Sequence, residues 1–223
     1  MVDFELGIDD AGRGPVIGPM VLAGCLIDKK TEVEFKKLGV RDSKQLTQKR
    51  REYLANIVRE KAETFEVVLS YPNEIDHSLG NGTNLNALEA IKTAEIINKI
   101  NKGYKKIRVI VDCPSVSTVR WCDLLKTKID NPETVDVKCE HKADKNHVSV
   151  SAASILAKST REKEMDKLRE KYGTGIGSGY TSDPATQKFL QKHAHKYHDH
   201  GIFRKTWETW RKVIKTIGQR KLF

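Results

Sequence analysis

Apolar positions along the chain switch between runs and helical spacings, and the order of those switches predicts an architecture. A short apolar run through Leu6 and Ile8 predicts a first strand, which ends in Asp9 and Asp10. After a tight Gly12-Arg13-Gly14-Pro15 turn, a second apolar run from Val16 to Ile27 predicts another strand, with Gly18-Pro19 marking an edge position or a bulge. So short a connection makes the two strands antiparallel. Phe65 to Tyr71 predicts a strand ended by Pro72, and Val135 to Cys139 a shorter one. Between them, Lys106 to Asp112 is an almost unbroken β-branched run, the pattern of a buried strand, and it also ends in an aspartate.

Helical spacing fills the gaps. Thr47 opens a pattern carried by Tyr53, Leu54, Ile57 and Val58, and Leu88, Ile91, Ala94, Glu95, Ile96 and Ile97 supply most of the pattern of an amphipathic helix from about Leu85 to Ile100. A third is expected around Val119 to Lys128. The Ala- and Ser-rich stretch from Val148 to Lys158 suits a helix packed closely on a sheet, continuing as a solvated segment to about Lys171. Gly173 to Gly179 is a loop, after which Pro184 can open a helix capped by Asp183 or Ser182. A last helix is expected from about Phe203 to Ile217, with Trp207 and Trp210 on different faces. The alternation in the middle predicts an α/β fold: a mixed sheet, part of it parallel, flanked by helices, with C-terminal helices appended.

Composition narrows the partners. The 223 residues carry 40 Lys and Arg against 30 Asp and Glu, a formal net charge of +10, and such a field favours polyanions, nucleic acid above all. Cys25, Cys113, Cys122 and Cys139 form no C-x-x-C pair and read as reduced core residues of an intracellular protein. No basic-then-apolar leader and no run long enough to span a bilayer is visible, so a cytoplasmic location without membrane association is expected.

Asp9, Asp10, Asp112 and Asp144 all fall at strand ends or just beyond one. In open α/β sheets ligands gather at the carboxyl ends of strands, and four carboxylates brought together there could not stay ionised without cations. Oxygen ligands with no histidine or cysteine partner select Mg²⁺ or Mn²⁺ over zinc. Two such ions roughly 3.5–4 Å apart form the clamp for in-line phosphoryl displacement. A basic protein with such a centre reads as a nuclease. The bland reading of any one of these aspartates is a turn residue or a helix cap.

The segment from Gly7 to Pro19, with Asp9-Asp10-Ala11-Gly12-Arg13-Gly14-Pro15 at its centre, resembles the signature of type 2 ribonuclease H, ribonuclease HII. Asp42-Ser43-Lys44, Val111-Asp112, His141-Lys142-Ala143-Asp144, Ser151-Ala152-Ala153-Ser154-Ile155 and Gly177-Ser178-Gly179-Tyr180 follow that family's motifs in the same order, nearest to its archaeal and eukaryotic-like members. The resemblance implies a ribonuclease H-like catalytic domain over residues 1–180 and a helical extension over 181–223. It implies that Asp9, Asp10, Asp112 and Asp144 bind two ions, Mg²⁺ or Mn²⁺. Gly12-Arg13-Gly14 would hold the strand at the ribonucleotide, its backbone reading the 2′-hydroxyl, and Tyr180 would stack on the neighbouring sugar. The substrates implied are RNA–DNA hybrids and duplex DNA containing ribonucleotides, cut 5′ of the ribonucleotide to leave a 3′-hydroxyl and a 5′-phosphate. A monomer is expected.

One position departs from the family, which carries glutamate where this chain has Asp10. Aspartate keeps the charge and shortens the reach by roughly 1.5 Å. Neighbouring strand residues also point to opposite faces, so position 10 must reach around the turn or act partly through its backbone. Lys44 and Lys142 are candidate phosphate contacts, with a solvated lysine as the alternative for each. Ser151 to Ile155 reads first as packing, since no Ser-His-Asp arrangement converges on it. The tract His193, His195, His198 and His200 reads as exposed positive charge rather than a zinc site. A dinucleotide-binding fold is excluded on physical grounds: two carboxylates would repel a pyrophosphate, and Pro15 precedes a strand-like run instead of a helix N-terminus. A non-catalytic nucleic-acid-binding module would explain the charge and leave the acids without a purpose.

Overall fold

The computed structural model describes residues 4–41, 46–101 and 106–220. Five strands form one mixed sheet: β1 (Phe4–Ala11), β2 (Met20–Asp28), β3 (Thr64–Ser70), β4 (Ile107–Asp112) and β5 (Val135–Glu140), in the order β3-β2-β1-β4-β5. β1 is antiparallel to β2 and parallel to β4, and β4 is parallel to β5. Placing β1 at the centre follows from its residues, since Leu6 and Ile8 are buried and neither edge of the strand faces solvent. The expected antiparallel opening and parallel middle are both present.

The helices are α1 (Lys29–Leu38), α2 (Gln48–Lys61), α3 (Pro72–Gly80), α4 (Leu85–Ile100), α5 (Thr118–Lys126), the single turn α6 (Ala143–Asn146), α7 (Val148–Tyr172), α8 (Pro184–His193) and α9 (Glu208–Arg220). None of the described helices is long and apolar enough to cross a membrane, and none of the four cysteines is in a disulfide. Local chemistry sets the ends: Thr47 caps α2 by accepting from Arg50 N, and Asp183 caps α8 by accepting from Ala185 N.

The chain packs as two compact units interleaved along the sequence: residues 1–11, 21–68 and 86–160, and residues 12–20, 69–85 and 161–223. In the first, alternation along β1 separates two faces. Gly7 meets the start of α7, where an added Cβ would fall well under 3.0 Å from the backbone of Ser149 and Val150. Gly24, the register partner of Ile8, meets Ile96 and Ile100 of α4 beside Leu6. Odd-numbered residues of β1 therefore face α7 and even-numbered ones face α4.

The second unit has its own core, built from Val16, Ile17, Met165, Ile176, Phe189, Leu190, Ala194, Ile202, Phe203 and Trp210. Three sequence expectations change here. Val16 to Pro19 is no part of β2: Gly18 takes a left-handed φ of +85°, and Ile17 makes only an isolated bridge with Phe203. Pro72 opens α3 instead of only ending a strand. The histidine tract is partly packed, with His193 against Phe189 and Tyr197, His198 against Trp210, and His200 against Tyr172 and Tyr197. Trp210 is buried with Phe203, whereas Trp207 turns its indole toward Gly14.

Candidate active site

Parallel pairing of β1 with β4, register partners Ile8 and Val111 at its end, carries Asp9 and Asp112 out on the same face, the one toward α7. The third acid comes from the turn after β5. Lys142 there takes a left-handed backbone with φ +57°, the single positive φ among the described non-glycine residues. Such a conformation is strained for a side chain of its size. It reverses the chain so that Ala143 N donates to an Asp112 carboxylate oxygen at 3.1 Å while the next residue, Asp144, turns inward. Ser151 Oγ donates to the Asp144 carbonyl and ties that turn to α7.

The result is a trio: carboxylate oxygens of Asp9, Asp112 and Asp144 all lie within 4.8 Å of one another. It is the one cluster of three or more His, Cys, Asp or Glu side chains with metal-holding geometry among the described residues. Asp9 is 6% exposed and Asp144 1%. Burial, then the charge of Asp10, pushes the Asp9 carboxyl up to about 8 against the pull of a hydrogen bond with Ser154 and the charge of Lys158. Carboxylates crowded together in a buried place in this way are offset by a bound cation. The donor set is all carboxylate oxygen, so the residues fit a hard divalent ion.

Asp10 stands apart from that trio. Its backbone N–H donates to Asp9 Oδ1 at 2.8 Å, while its position in β1 turns its side chain to the α4 face. There a small recess is lined by Asp10, Leu22, Glu89, Thr93 and Trp121 together with Asp9 and Asp112. Glu89 and Thr93 are both about as buried as the core around them. Position 10 thus meets Asp9 through its backbone N–H.

Two residues join the site that the sequence places in the closely packed part of α7. Ser154 and Lys158 stand one turn apart on α7, Lys158 Nζ donates to Ser154 Oγ at 3.0 Å, and both act on Asp9. The signal that could have found them is the i,i+4 pairing of a hydroxyl and an ammonium on the small-residue face of that helix. Glu89 was legible as the one acid among the buried positions of α4.

In the second unit the remaining site residues form a separate group. Gly12 is buried with φ +80°, Arg13 is half-buried and Gly14 is exposed. An added Cβ on Gly14 would stand 3.9 Å from the ring of Tyr180, itself 42% exposed. Gly179 O accepts from Val16 N at 2.9 Å and Ile17 N at 3.3 Å, which ties the Tyr180 loop to the segment after Gly14. Arg161 lies 5.7 Å from the Tyr180 ring and donates to Pro19 O, Ile17 O and Ser178 O. Lys142 is exposed beside the acidic trio, and Lys44 lies outside the described residues.

Comparison with known proteins places the chain in a family. The sequence model of ribonuclease HII matches residues 6–210. Ribonuclease HII of Methanococcus maripaludis is 39% identical over 221 residues, covering 98% of this chain and 90% of that protein. The crystal structure of ribonuclease H2 from Pyrococcus horikoshii superposes with a TM-score of 0.84 at 40% identity, over 96% of this chain and 98% of that one. A chain from the structure of the PCNA:RNase HII complex of Archaeoglobus fulgidus gives 0.82 at 36% identity, over 94% and 96%. With the family model matching residues 6–210 and relatives of 39–40% identity aligned over nearly the whole chain, the chain belongs to the ribonuclease HII family and is a metal-dependent ribonuclease.

Proposed function

We propose that this ribonuclease hydrolyses the RNA strand of RNA–DNA hybrids and cuts duplex DNA on the 5′ side of an embedded ribonucleotide, with Asp9, Asp112, Asp144 and, in part, Asp10 holding two divalent ions, Mg²⁺ or Mn²⁺. The observation that carries the reading is the trio of carboxylates, two of them buried and Asp112 half-buried, within 4.8 Å at the ends of two parallel strands and the turn after a third. Ions bound there would activate the attacking water and neutralise charge on the departing oxygen. The new bond forms between water oxygen and phosphorus, and the bond from phosphorus to the 3′-oxygen breaks. That oxygen takes up a proton, which leaves a 3′-hydroxyl and a 5′-phosphate.

The chain's own residues divide the remaining work. Ser154 and Lys158 hold the Asp9 carboxylate in place from α7. Lys142 offers its ammonium to the substrate backbone, as does Lys44. Gly12-Arg13-Gly14 presents backbone N–H groups and the Arg13 guanidinium to the ribonucleotide, whose 2′-hydroxyl separates it from DNA. Tyr180, exposed beside Gly14, offers a ring for the neighbouring sugar. One chain is taken as the working unit.

The test is an end-labelled duplex with one ribonucleotide, incubated with Mg²⁺ or with EDTA. Metal-dependent cleavage just 5′ of the ribonucleotide is expected, and Asp112→Asn should bind the duplex without cutting it. Binding without cleavage by the unaltered chain would make it a non-catalytic nucleic-acid-binding module.

A further inference from the structure

The largest side chain wholly shielded from solvent in the described chain is a charged one, Arg204, at 0% exposure. A buried guanidinium is costly unless its N–H donors are satisfied, and here four of the five are turned on one short segment. Nη2 donates to Gly12 O at 2.6 Å, Nη1 to Arg13 O at 2.7 Å, and Nε and Nη2 to Gly18 O at 3.1 and 3.0 Å. Three residues on, Trp207 Nε1 donates to Gly14 O at 3.0 Å, and the guanidinium lies 4.9 Å from the Trp207 ring. The backbone joins in, with Arg204 N donating to Val16 O at 2.9 Å. Two side chains from residues 204–207 therefore take the carbonyls of Gly12, Arg13 and Gly14 in succession.

That succession dictates where the N–H groups point. In a trans peptide the carbonyl and the following N–H are antiparallel, and no peptide in the described chain is cis. Fixing Gly12 O and Arg13 O on Arg204 turns the N–H groups of Arg13 and Gly14 the opposite way, toward the exposed side of the turn. Gly14 O, held by Trp207, precedes Pro15, which has no N–H to place. Consecutive N–H groups aimed outward make a concave site for an anionic or hydroxyl oxygen. We infer that Arg204, with Trp207, is the positioning residue that orients the Gly12-Arg13-Gly14 backbone to recognise the ribonucleotide. The inference rests on the proposed ribose-reading role of that turn and deepens it by naming what sets its geometry.

A lysine keeps the charge and cannot span three carbonyls with one planar fork. Arg204→Lys should therefore loosen the turn without removing its side chains. Affinity is measured in EDTA for two duplexes of equal length, one all-DNA and one with a single ribonucleotide. Kinetics and a Mn²⁺ titration are run on the same variants. The expected result for Arg204→Lys is an affinity for the ribonucleotide duplex about tenfold weaker, with a matching rise in KM. Affinity for the all-DNA duplex should stay within twofold, kcat within threefold and Mn²⁺ affinity unchanged. Trp207→Phe, which keeps the ring and removes the indole N–H, should shift the same ratio about threefold, and it decides the matter if Arg204→Lys does not fold. Equal weakening on both duplexes, or a fall in kcat at constant KM, would overturn the inference by showing a merely structural role. So would variants that keep the ratio of a wild-type protein that does discriminate. A wild-type protein that binds both duplexes equally removes the ribose-reading role itself, and this inference with it.

Discussion

Replacing Gly7 with alanine adds one methyl group at the closest approach between β1 and α7. The new Cβ would lie well under 3.0 Å from the carbonyl carbon of Ser149 and the amide nitrogen of Val150, whereas ordinary contact begins near 3.4 Å. Both obstructing atoms are backbone, so no rotamer change relieves the overlap and either the helix or the strand has to retreat by roughly an ångström. Overpacking of a close-packed interior costs about 1–3 kcal/mol, and a backbone obstruction belongs at the top of that range or above it. About 3 kcal/mol in a chain of this size lowers Tm by roughly 6–12 °C. The same retreat draws Ser154 and Lys158, farther along α7, away from Asp9. Activity should therefore fall several-fold even at temperatures where the variant is fully folded, with weaker Mn²⁺ binding in parallel. Gly24→Ala is the control: its Cβ meets the Ile96 side chain on the α4 face, where side-chain adjustment shares the strain, so it should cost less stability and leave α7 in place. Melting curves, Mn²⁺ titration and cleavage assays on the two variants decide the matter. A Gly7→Ala protein melting within 2 °C of wild type, on the order of 1 kcal/mol or less, would refute the reasoning, as would a smaller loss than that of Gly24→Ala.

Three further outcomes are expected. Asp144→Asn relieves repulsion within the carboxylate trio, so it should raise Tm in EDTA, while the stabilisation that Mg²⁺ gives the wild type, about 2.7 kcal/mol at a hundredfold excess over Kd, should be lost; a variant less stable in EDTA, or one still stabilised by Mg²⁺, counts against the site. Asp10→Glu lengthens the acid's reach by roughly 1.5 Å and should raise kcat on a duplex with one ribonucleotide, and equal or lower turnover would show that the shorter acid is no handicap. Asp183 accepts from Ser178 N at 2.6 Å and Ala185 N at 2.9 Å, and these bonds pull its carboxyl down to about 2. Its folded value lies below the ordinary 3.8, so its stabilisation is complete above that value and is lost as pH falls from about 4 toward 2. Denaturant melts should show Asp183→Asn flattening this slope, and Asp183→Ala costing about 1 kcal/mol at neutral pH as a lost cap.

Much of the fold was legible because apolar periodicity and burial coincide in it. The predicted bounds of α4 are those observed, and β4, β5 and α7 fall within a residue or two of their expected ends. What escaped did so for physical reasons. α1 buries only Phe35 in a charged segment, so it has almost no apolar stripe, and its signal lies in its ends: Asp28 accepts from Thr31 N, and Gly39 closes it at φ +81°. α3 begins at a proline, which is equally at home ending a strand or filling the first turn of a helix. Residues 16–19 look like strand because they are apolar, yet their burial is in the core of the second unit, with Phe203 and Met165. Apolar character reports that a residue is buried and does not say in which core.

The site divides along the same line. That acids end the strands could be read directly, because a carboxylate after a buried run is conspicuous. Which of them meet is a matter of register: parallel pairing puts Asp112 on the face of Asp9, and the one-residue offset sends Asp10 to the other. Asp144 reaches the trio only because Lys142 accepts a left-handed backbone, something its residue type argues against. Arg204 is the extreme case. In sequence it is one of 40 basic residues in a chain of net charge +10, indistinguishable from those facing solvent. Its burial and its three carbonyl partners, about 190 residues earlier, exist only once residues 12–20 and 161–223 have packed into one unit. Charge composition identifies the kind of partner this protein attracts, and the few charges withdrawn from solvent determine the shape in which the backbone meets it.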